Sequence, residues 1–245
     1  MQRIAIVSDL HGNLAAWNAV LEDISVRGVT EIYCLGDIVG KGPNPVEVFE
    51  SVRQHCNVII RGNWDELFGL RETDENFSWH AKLLGQQRVQ ELGGLPFHHD
   101  FLLSGRRIRL VHASPQSVYH RVQPWDSAES RMGMFDPTPD EKEDSRFEPD
   151  TVGYGDVHNA FLQHLHGRTL FNVGSVGNPL DMTEASYCIL EGHIGETTRE
   201  GFSIQFIRVP YDIELAVRQA EEAQVPSLNY YIKELRTAIY RGLQD

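Results

Sequence analysis

The residues best suited to chemistry in this sequence are acids, histidines and an asparagine that stand just after short apolar runs. Asp9 and His11 follow the first run, at residues 4–7, and would point to the same side if the extended geometry continued. Asp37, Asn63 and His112 stand in the same kind of position later in the chain, and Asp156 and His158 form another pair two residues apart. Each signal is weak alone, because an Asp or Asn after a strand is usually a helix cap or a turn former. Brought together, these groups would repel one another without a divalent cation, and mixed oxygen and nitrogen ligands suit Mn, Fe, Zn or Co.

The elements that must position these residues alternate between strand and helix in the first part of the chain. Strand-like apolar runs at residues 4–7, 32–35 and 58–60 alternate with helical patterns at 14–27 and 46–55. Such alternation predicts a mainly parallel sheet with helices packed on it. Because the carboxyl ends of parallel strands meet at one edge of the sheet, the residues that follow these strands should converge on one crevice.

The second half of the chain predicts a different arrangement. A hairpin is expected over residues 101–111, and it leads directly into His112. A second, more antiparallel sheet is expected after it, with two helices covering that sheet. The predicted strands lie at residues 169–173, 186–190 and 202–209, and the predicted helices lie near 213–223 and 228–240.

An acidic, proline-containing stretch at residues 119–150 interrupts this second half. Seven acidic residues fall between residues 136 and 150, against Lys142 and Arg146. A stretch of this length is either a solvated surface insertion or a lid over a site, and the first is the commoner case. No repeat or linker divides the chain, so residues 1–245 are interpreted as one domain that carries this insertion.

The composition is that of an ordinary globular protein, and it restricts the partners. With 22 Lys and Arg against 35 Asp and Glu, the chain of 245 residues has a formal net charge of −13, which disfavours long nucleic acids and anionic membranes. The apolar runs are too short to cross a membrane, and no signal-peptide pattern precedes the first strand. Three scattered cysteines predict neither a disulfide framework nor a CxxC metal site. We therefore expect a cytoplasmic protein without a membrane partner.

Taken in order, the motifs resemble those of the calcineurin-like metallophosphoesterase superfamily. They are Asp9-x-His11, Gly36-Asp37-x-x-Gly40, Gly62-Asn63-x-Asp65, His112 and Gly155-x-x-His158. Residues 172–179, Asn-Val-Gly-Ser-Val-Gly-Asn-Pro, are similar to the glycine–serine segment of the compact bacterial phosphodiesterase branch. The resemblance implies the α/β class and a four-layer α/β/β/α sandwich, in which two packed mixed sheets are flanked by helices. It also implies a dinuclear site at the strand ends.

The resemblance assigns a role to each site residue. Of two divalent metal ions (Mn, Fe, Zn, Co or Ni), one would be held by Asp9, His11 and His158 and the other by Asn63 and His112, with Asp37 as the bridge. The implied reaction is hydrolysis of a phosphoester bond by a hydroxide held between the ions. The residues that would take part in catalysis are Asp37, Asn63, His11 and His158.

Two positions depart from the family pattern. Asp156 stands where the family usually has the first His of Gly-His-x-His; a carboxylate there either ligates the second metal or weakens that site, and ligation is the prediction. Trp64 stands where many members have a His that orients or protonates the phosphate, and its ring either stacks on the substrate or packs beside the site. Asp65 is expected to have a structural role. Arg61 and Arg121 could contact phosphate, although an exposed arginine usually only increases solubility.

The predicted substrate is a small phosphodiester or a small nucleotide. The three carboxylates of Asp9, Asp37 and Asp156 against two divalent cations leave the crevice formally positive, so a small phosphate can enter it. The remaining acidic excess disfavours long polyanions. Two alternatives stay open, namely a non-catalytic metal-binding interaction scaffold of the same fold and a nuclease.

Overall fold

The computed structural model describes residues 1–70, 74–142 and 147–243 of the chain. Over these residues it contains two five-stranded sheets packed face to face. The strands are β1 (Gln2–Val7), β2 (Glu31–Cys34), β3 (Val58–Ile59), β4 (His98–Leu103), β5 (Arg106–Val111), β6 (Thr151–Tyr154), β7 (Phe161–Leu165), β8 (Arg168–Asn172), β9 (Ala185–Gly192) and β10 (Ser203–Val209). The helices are α1 (Leu14–Val26), α2 (Pro45–His55), α3 (Asn63–Gly69), α4 (Glu75–Gly93), α5 (Ala128–Met132), α6 (Ile213–Ala223) and α7 (Leu228–Thr237).

The first sheet has the strand order β10-β9-β1-β2-β3. Strands β1, β2 and β3 are parallel, as the alternation of strands and helices predicts. The side chains of the central strand β1 alternate, so that Ala5 and Val7 pack with the helices while Ile4 and Ile6 pack with the second sheet. Because both faces of β1 are covered, its sequence is a continuous apolar run.

The helices α1, α2 and α4 cover the outer face of the first sheet. Trp17, Val48 and Leu84 are among the buried residues that they contribute to the same core as Ala5 and Val7. The helix α1 begins as predicted, since the Asn13 side chain accepts a hydrogen bond from the N–H of Ala16. None of the helices in the described part of the chain is long and apolar enough to cross a membrane.

Two predictions about the second half of the chain are wrong. Strands β9 and β10 belong to the first sheet, where β9 runs antiparallel to β1 with Leu190 opposite Ile4. Strand β9 is apolar on both faces, and beside β1 it pairs an edge that would otherwise stay open. Helices α6 and α7 pack around Tyr231 and against Ala15 of α1, so they add to the helical layer of the first sheet and do not cover the second.

The second sheet has the strand order β4-β5-β6-β8-β7 and is mixed. Strands β5, β6 and β8 are parallel, and the edge strands β4 and β7 are antiparallel to their neighbours. The sequence did not indicate β6 or β7, because β6 is four residues long with a glycine and β7 has alternating exposed positions at an edge. Leu110 and Phe171 of this sheet meet Ile4 and Ile6 of the first sheet.

The insertion at residues 119–150 covers the outer face of the second sheet. Its residues Val122, Met134 and Phe135 are buried against Val152 and Leu170. Its helical part is α5 and the 3-10 turn that follows, so the predicted α/β/β/α order of layers is confirmed. Three of the charged residues counted in this stretch lie outside the described residues, namely the acids Glu143 and Asp144 and the basic Arg146.

Candidate metal centre

The seven predicted metal ligands follow strands whose carboxyl ends meet at one edge of the two packed sheets. Asp9 and His11 follow β1, Asp37 follows β2, Asn63 begins α3 after β3, His112 follows β5, and Asp156 and His158 follow β6. All of them except the half-buried Asn63 are buried. The structure therefore brings together side chains that are up to 149 residues apart in the sequence.

Left-handed turns, and not extended backbone, direct these side chains into the site. Five of them have φ between 48° and 60°: Asp9, His11, Asp37, Asp156 and His158. The extended geometry expected for Asp9 and His11 is thus wrong, although both side chains do reach the site. Each left-handed residue other than glycine costs about 1–2 kcal/mol. Main-chain bonds that continue beyond the strands hold the turns: Asp9 N donates to Gly36 O (3.0 Å), and His11 N donates to Asp37 O (2.9 Å).

The glycine–serine segment packs directly against the turn after β1. The Ser175 hydroxyl donates to the main-chain oxygen of Asp9 (2.7 Å), and the N–H of Gly177 donates to the same oxygen (2.9 Å). A Cβ atom on Gly177 would lie 1.8 Å from the main-chain oxygen of Leu10, so only glycine fits there. The segment that completes the sequence motif therefore supports the backbone of Asp9.

The first group of candidate ligands consists of Asp9, His11 and His158, whose ligand atoms lie within 4.8 Å of one another. His158 Nε2 lies 3.2 Å from Asp9 Oδ1 and 3.2 Å from His11 Nε2. His158 Nδ1 donates to the main-chain oxygen of Asn178 (2.5 Å). In the neutral ring this leaves the lone pair of Nε2 directed at the group, which is the usual arrangement of a metal-binding histidine.

The second group consists of Asp9, Asp37 and His112, again with ligand atoms within 4.8 Å of one another. His112 Nε2 lies 3.5 Å from Asp37 Oδ1. His112 Nδ1 donates to the main-chain oxygen of Leu35 (2.8 Å), so its Nε2 lone pair also points inward. The two groups share Asp9.

Asp37 and Asn63 complete the second group and connect it to the first. Asp37 directs Oδ1 at His112 and places Oδ2 3.7 Å from His11 Nε2, so one carboxylate spans both groups. In one orientation the Asn63 amide nitrogen donates to His112 Nε2 (3.0 Å) and to both Asp37 oxygens (3.3 and 3.1 Å). In the other orientation the amide oxygen lies 3.0 Å from the same ring nitrogen, which is the orientation that a cation would require.

This donor set fits a divalent cation. Asp9 Oδ1 is buried and receives no hydrogen bond from the described residues. Imidazole lone pairs of His112 and His158 face buried carboxylate oxygens, and such atoms repel one another unless a proton or a cation lies between them. The ligands are nitrogen and oxygen atoms without a thiolate, as borderline first-row metals prefer.

The pKa values of these groups show where a proton takes the place of a cation between the facing nitrogen and oxygen atoms. Burial alone would raise the pKa of Asp9, but the charge of the adjacent His158 outweighs burial and lowers the pKa to about 2. Burial, helped by the charge of Asp9, raises the pKa of Asp37 well above its ordinary value. Burial opposes protonation of His112, yet the carboxylates of Asp37 and Asp9 raise its pKa to about 9. Without a cation, His112 therefore holds a proton between acids, and metal binding would release that proton.

Asp65 supports the site from behind, as the sequence predicts. Its carboxylate accepts hydrogen bonds from the main-chain N–H groups of Asp37 (2.7 Å), Ile38 (3.2 Å) and Gly62 (2.9 Å). One side chain thus ties the turn after β2 to the start of α3, which carries Asn63.

Trp64 packs beside the site. Its ring lies edge-on to His11, with centroids 5.6 Å apart, and against Phe77, with centroids 4.7 Å apart. A Cβ atom on Gly40 would lie 2.3 Å from the indole, so the ring fills the space above that glycine. Of the two roles considered for Trp64, packing describes these contacts, and the same ring also lines the neighbouring cavity.

A cavity of about 480 Å³ opens next to the two groups. Its charged and aromatic lining residues include Lys41, Trp64, Arg121, Trp125, Asp156, His158, Tyr240 and Arg241. Lys41 was not among the residues predicted for the site, and its ammonium donates to Asn178 Oδ1 (2.7 Å). Its position directly after the Gly36-Asp37-x-x-Gly40 motif is the signal that could have found it. The C-terminal wall had no such signal, because residues 238–241 reach the cavity only through tertiary packing.

Asp156 lies at the edge of both groups and is engaged in an ion pair. Its Oδ1 is 3.9 Å from His112 Nε2, and its N–H donates to Asp9 Oδ2 (3.1 Å). Its two carboxylate oxygens accept hydrogen bonds from Arg121 Nε (2.8 Å) and Nη2 (2.9 Å). The predicted ligation of a second metal by Asp156 therefore competes with this pair.

Comparison with known proteins places the chain in a family. Residues 2–193 match the calcineurin-like phosphoesterase superfamily domain. The chain is 31% identical over 247 residues to the uncharacterized protein MJ0912 of Methanocaldococcus jannaschii, a match that covers 91% of this chain and 93% of that protein. It is 26% identical over 149 residues to phosphodiesterase YfcE of Escherichia coli strain K12, covering 48% of this chain and 80% of that protein.

A solved structure agrees with these matches. The crystal structure of a metallophosphoesterase from Sphaerobacter thermophilus superposes with a TM-score of 0.72 at 27% identity and covers 97% of this chain and 99% of that one. The family match spans most of the chain, including every predicted ligand. The chain belongs to the calcineurin-like phosphoesterase superfamily.

Proposed function

We propose that this protein is a metal-dependent phosphoesterase that hydrolyses small phosphodiesters or small nucleotides and uses two divalent metal ions. The observation that carries the proposal is the pair of ligand groups that share Asp9 and are spanned by Asp37. His11 and His158 would hold one ion, and His112 and Asn63 would hold the other. Two overlapping groups of this kind are what a two-metal hydrolase requires.

The residues of the site are held in place before any substrate arrives. Asp37 Oδ1 accepts a hydrogen bond from the N–H of Trp64 (2.9 Å), which fixes the carboxylate between the groups. Main-chain oxygens of Leu35 and Asn178 fix the rings of His112 and His158. Divalent cations bound here would lower the pKa of an attacking water and neutralise charge that develops on the phosphate. Preorganised ligands support this chemistry because little reorganisation accompanies the reaction.

The cavity supports a small substrate. Its volume of about 480 Å³ lies in the range of sites for small molecules. Lys41 and Arg121 supply positive charge in its wall, while the net charge of −13 disfavours long polyanions. A relative named phosphodiesterase further favours diesters over monoesters.

The test compares metal content with hydrolysis. Protein stripped by a chelator is reloaded with Mn, Fe, Co, Ni or Zn, the bound metal is counted by elemental analysis, and turnover is measured with bis-p-nitrophenyl phosphate and p-nitrophenyl phosphate. We expect two ions per chain and faster cleavage of the diester. His112→Asn should lower kcat/KM by about a hundredfold or more, since it removes a metal ligand.

The matched control is His166→Asn, an exposed histidine in the turn between β7 and β8 whose left-handed conformation asparagine tolerates. This control should retain full activity. Metal binding without cleavage of either ester would favour the interaction scaffold instead. Preferential cleavage of DNA or RNA would favour the nuclease.

A further inference from the structure

Arg121 is held at the cavity by two separate contacts with residues at the end of β6 and just after it. Its guanidinium binds both oxygens of Asp156 in a fork, at 2.8 and 2.9 Å. The next residue, Val122, is buried, and its main-chain oxygen accepts a hydrogen bond from the Tyr154 hydroxyl (2.6 Å). Tyr154 ends β6, and Asp156 and His158 follow it. The end of β6 therefore fixes both the backbone and the side chain of an arginine that the insertion carries.

The pair differs from an ordinary surface salt bridge. The Asp156 side chain is only 4% exposed, whereas that of Arg121 is 49% exposed and lines the cavity. Two of the five N–H groups of Arg121 bind Asp156, which leaves three that Asp156 does not use. A planar guanidinium held in this way can bind two oxygens of a phosphate group at once.

The guanidinium also lies next to the two groups of candidate metal ligands, because Asp156 contacts both of them. Asp156, which it contacts, lies 3.9 Å from His112 Nε2 and donates its N–H to Asp9 (3.1 Å). His158 lines the same cavity as Arg121. A phosphate that is bound at the two groups of candidate ligands and extends into the cavity would contact Arg121 in the cavity wall.

We propose that Arg121 is a phosphate-binding residue and that Asp156 positions it instead of ligating the second metal. The proposal rests on the function proposed above, and it links one departure from the family pattern to a residue of the insertion. The carboxylate that replaces the family histidine already has a cationic partner for both of its oxygens. The ligand recognised is a phosphate group with at least two free oxygens, as in a phosphodiester or inorganic phosphate.

The test uses inorganic phosphate as the probe, so that it does not depend on turnover. Binding to the metal-loaded protein is measured by calorimetry, and metal content is measured in the same samples. Arg121→Ala should weaken phosphate binding by about tenfold to a hundredfold, the loss expected for a charge-assisted pair of hydrogen bonds. Arg121→Lys should recover little of this loss, because an ammonium cannot form the fork.

Asp156→Asn distinguishes positioning from ligation. It should leave the metal content unchanged and weaken phosphate binding severalfold, and it should have no further effect when Arg121 is already alanine. A loss of one metal ion, or an equal effect with and without Arg121, would overturn the positioning role. The double variant also avoids leaving Asp156 buried without its partner, so a folded sample is available even if Arg121→Ala is unstable.

The control is Arg131→Ala, which removes one positive charge from the same insertion, at α5, where the arginine binds Gln163 (2.7 Å). Its phosphate affinity should stay within about twofold of wild type. An equal loss in both arginine variants, or no loss in Arg121→Ala, would refute phosphate binding by Arg121. If the wild type cleaves no ester yet binds phosphate through Arg121, the proposed function fails while this inference stands.

Discussion

Replacing Asp37 by Asn should change stability and activity in opposite directions. Asp37 is a buried carboxylate whose Oδ1 accepts the N–H of Trp64, a bond that an asparagine oxygen preserves. The variant removes one negative charge from the site with almost no change in shape. Without metal the charge is unfavourable, whereas with metal it is needed, so the sign of the effect should depend on the metal.

The size of the metal-free effect follows from the spacing of the acids. Ligand oxygens of Asp9 and Asp37 lie within 4.8 Å of each other, and at an effective dielectric constant of about 20 two unit charges at that distance repel by about 3.5 kcal/mol. The proton on His112 offsets part of this repulsion. We expect Asp37→Asn to raise the free energy of unfolding of the metal-free protein by about 2 kcal/mol, or the Tm by about 4–8 °C.

The pH dependence has a definite sign. The pKa of Asp37 is raised in the folded chain above its ordinary 3.8. Its contribution to stability is therefore fully present below about pH 3.8 and is lost as the pH rises through the folded value. The advantage of Asp37→Asn should therefore grow as the pH rises through the folded pKa of Asp37 and should shrink towards pH 4.

The assay is a thermal melt at several pH values, in a chelator and in saturating Mn²⁺, with hydrolysis of bis-p-nitrophenyl phosphate measured in parallel. Bound metal at a thousand times its Kd stabilises the wild type by about 4 kcal/mol. Asp37→Asn lacks one predicted ligand, so in Mn²⁺ the wild type should have the higher Tm of the two proteins. The variant should lose about a thousandfold or more in kcat/KM. A lower Tm than wild type in chelator, or full activity in saturating Mn²⁺, would refute this reasoning.

Two further predictions concern the surroundings of the site. Glu141 accepts hydrogen bonds from the buried Arg109 (2.8 Å) and from main-chain N–H groups of the insertion, and although burial opposes it these contacts lower its pKa to about 2. The contribution of Glu141 to stability is present above pH 4.5 and is lost as the pH falls through about 2. Glu141→Gln should therefore lower the free energy of unfolding, measured in urea, by about 2 kcal/mol at pH 7 and progressively less in acid. Gly177→Ala would place a methyl group 1.8 Å from the main-chain oxygen of Leu10, so it should cost about 1–3 kcal/mol and reduce bound metal, and an unchanged melt with full metal content would contradict the packing argument.

The elements that the sequence predicted well are those specified by local pattern. The helix after Asn13 and the strand at residues 4–7 were predicted to within a residue or two, because periodicity, capping and burial on both faces all leave local signals. Asp37, Asn63 and His112 were recognisable for the same reason, since each stands just past an apolar run, whereas Asp156 and His158 were indicated by their spacing and the motif. Their roles as ligands and in catalysis remain predictions.

Pairing between distant strands was not predictable in the same way. The apolar run of β9 is compatible with either sheet, and its place beside β1 depends on which strand edge the rest of the fold leaves open. The four-residue strand β6 had no signal of its own, although it positions Asp156 and His158. Only the assembled sheet determines such strands.

The sequence by itself determined the family and the predicted kind of site: an ordered set of side chains with nitrogen and oxygen donor atoms, in a chain whose motifs and family match agree. The tertiary structure alone decided the directions of those side chains, through left-handed turns that no alternation of side chains predicts. It also decided that Asp156 meets Arg121, 35 residues away, because a buried carboxylate needs a partner and only the folded insertion brings one to it. Residue type is a local property, but the environment that gives an ionisable group its role is assembled by packing.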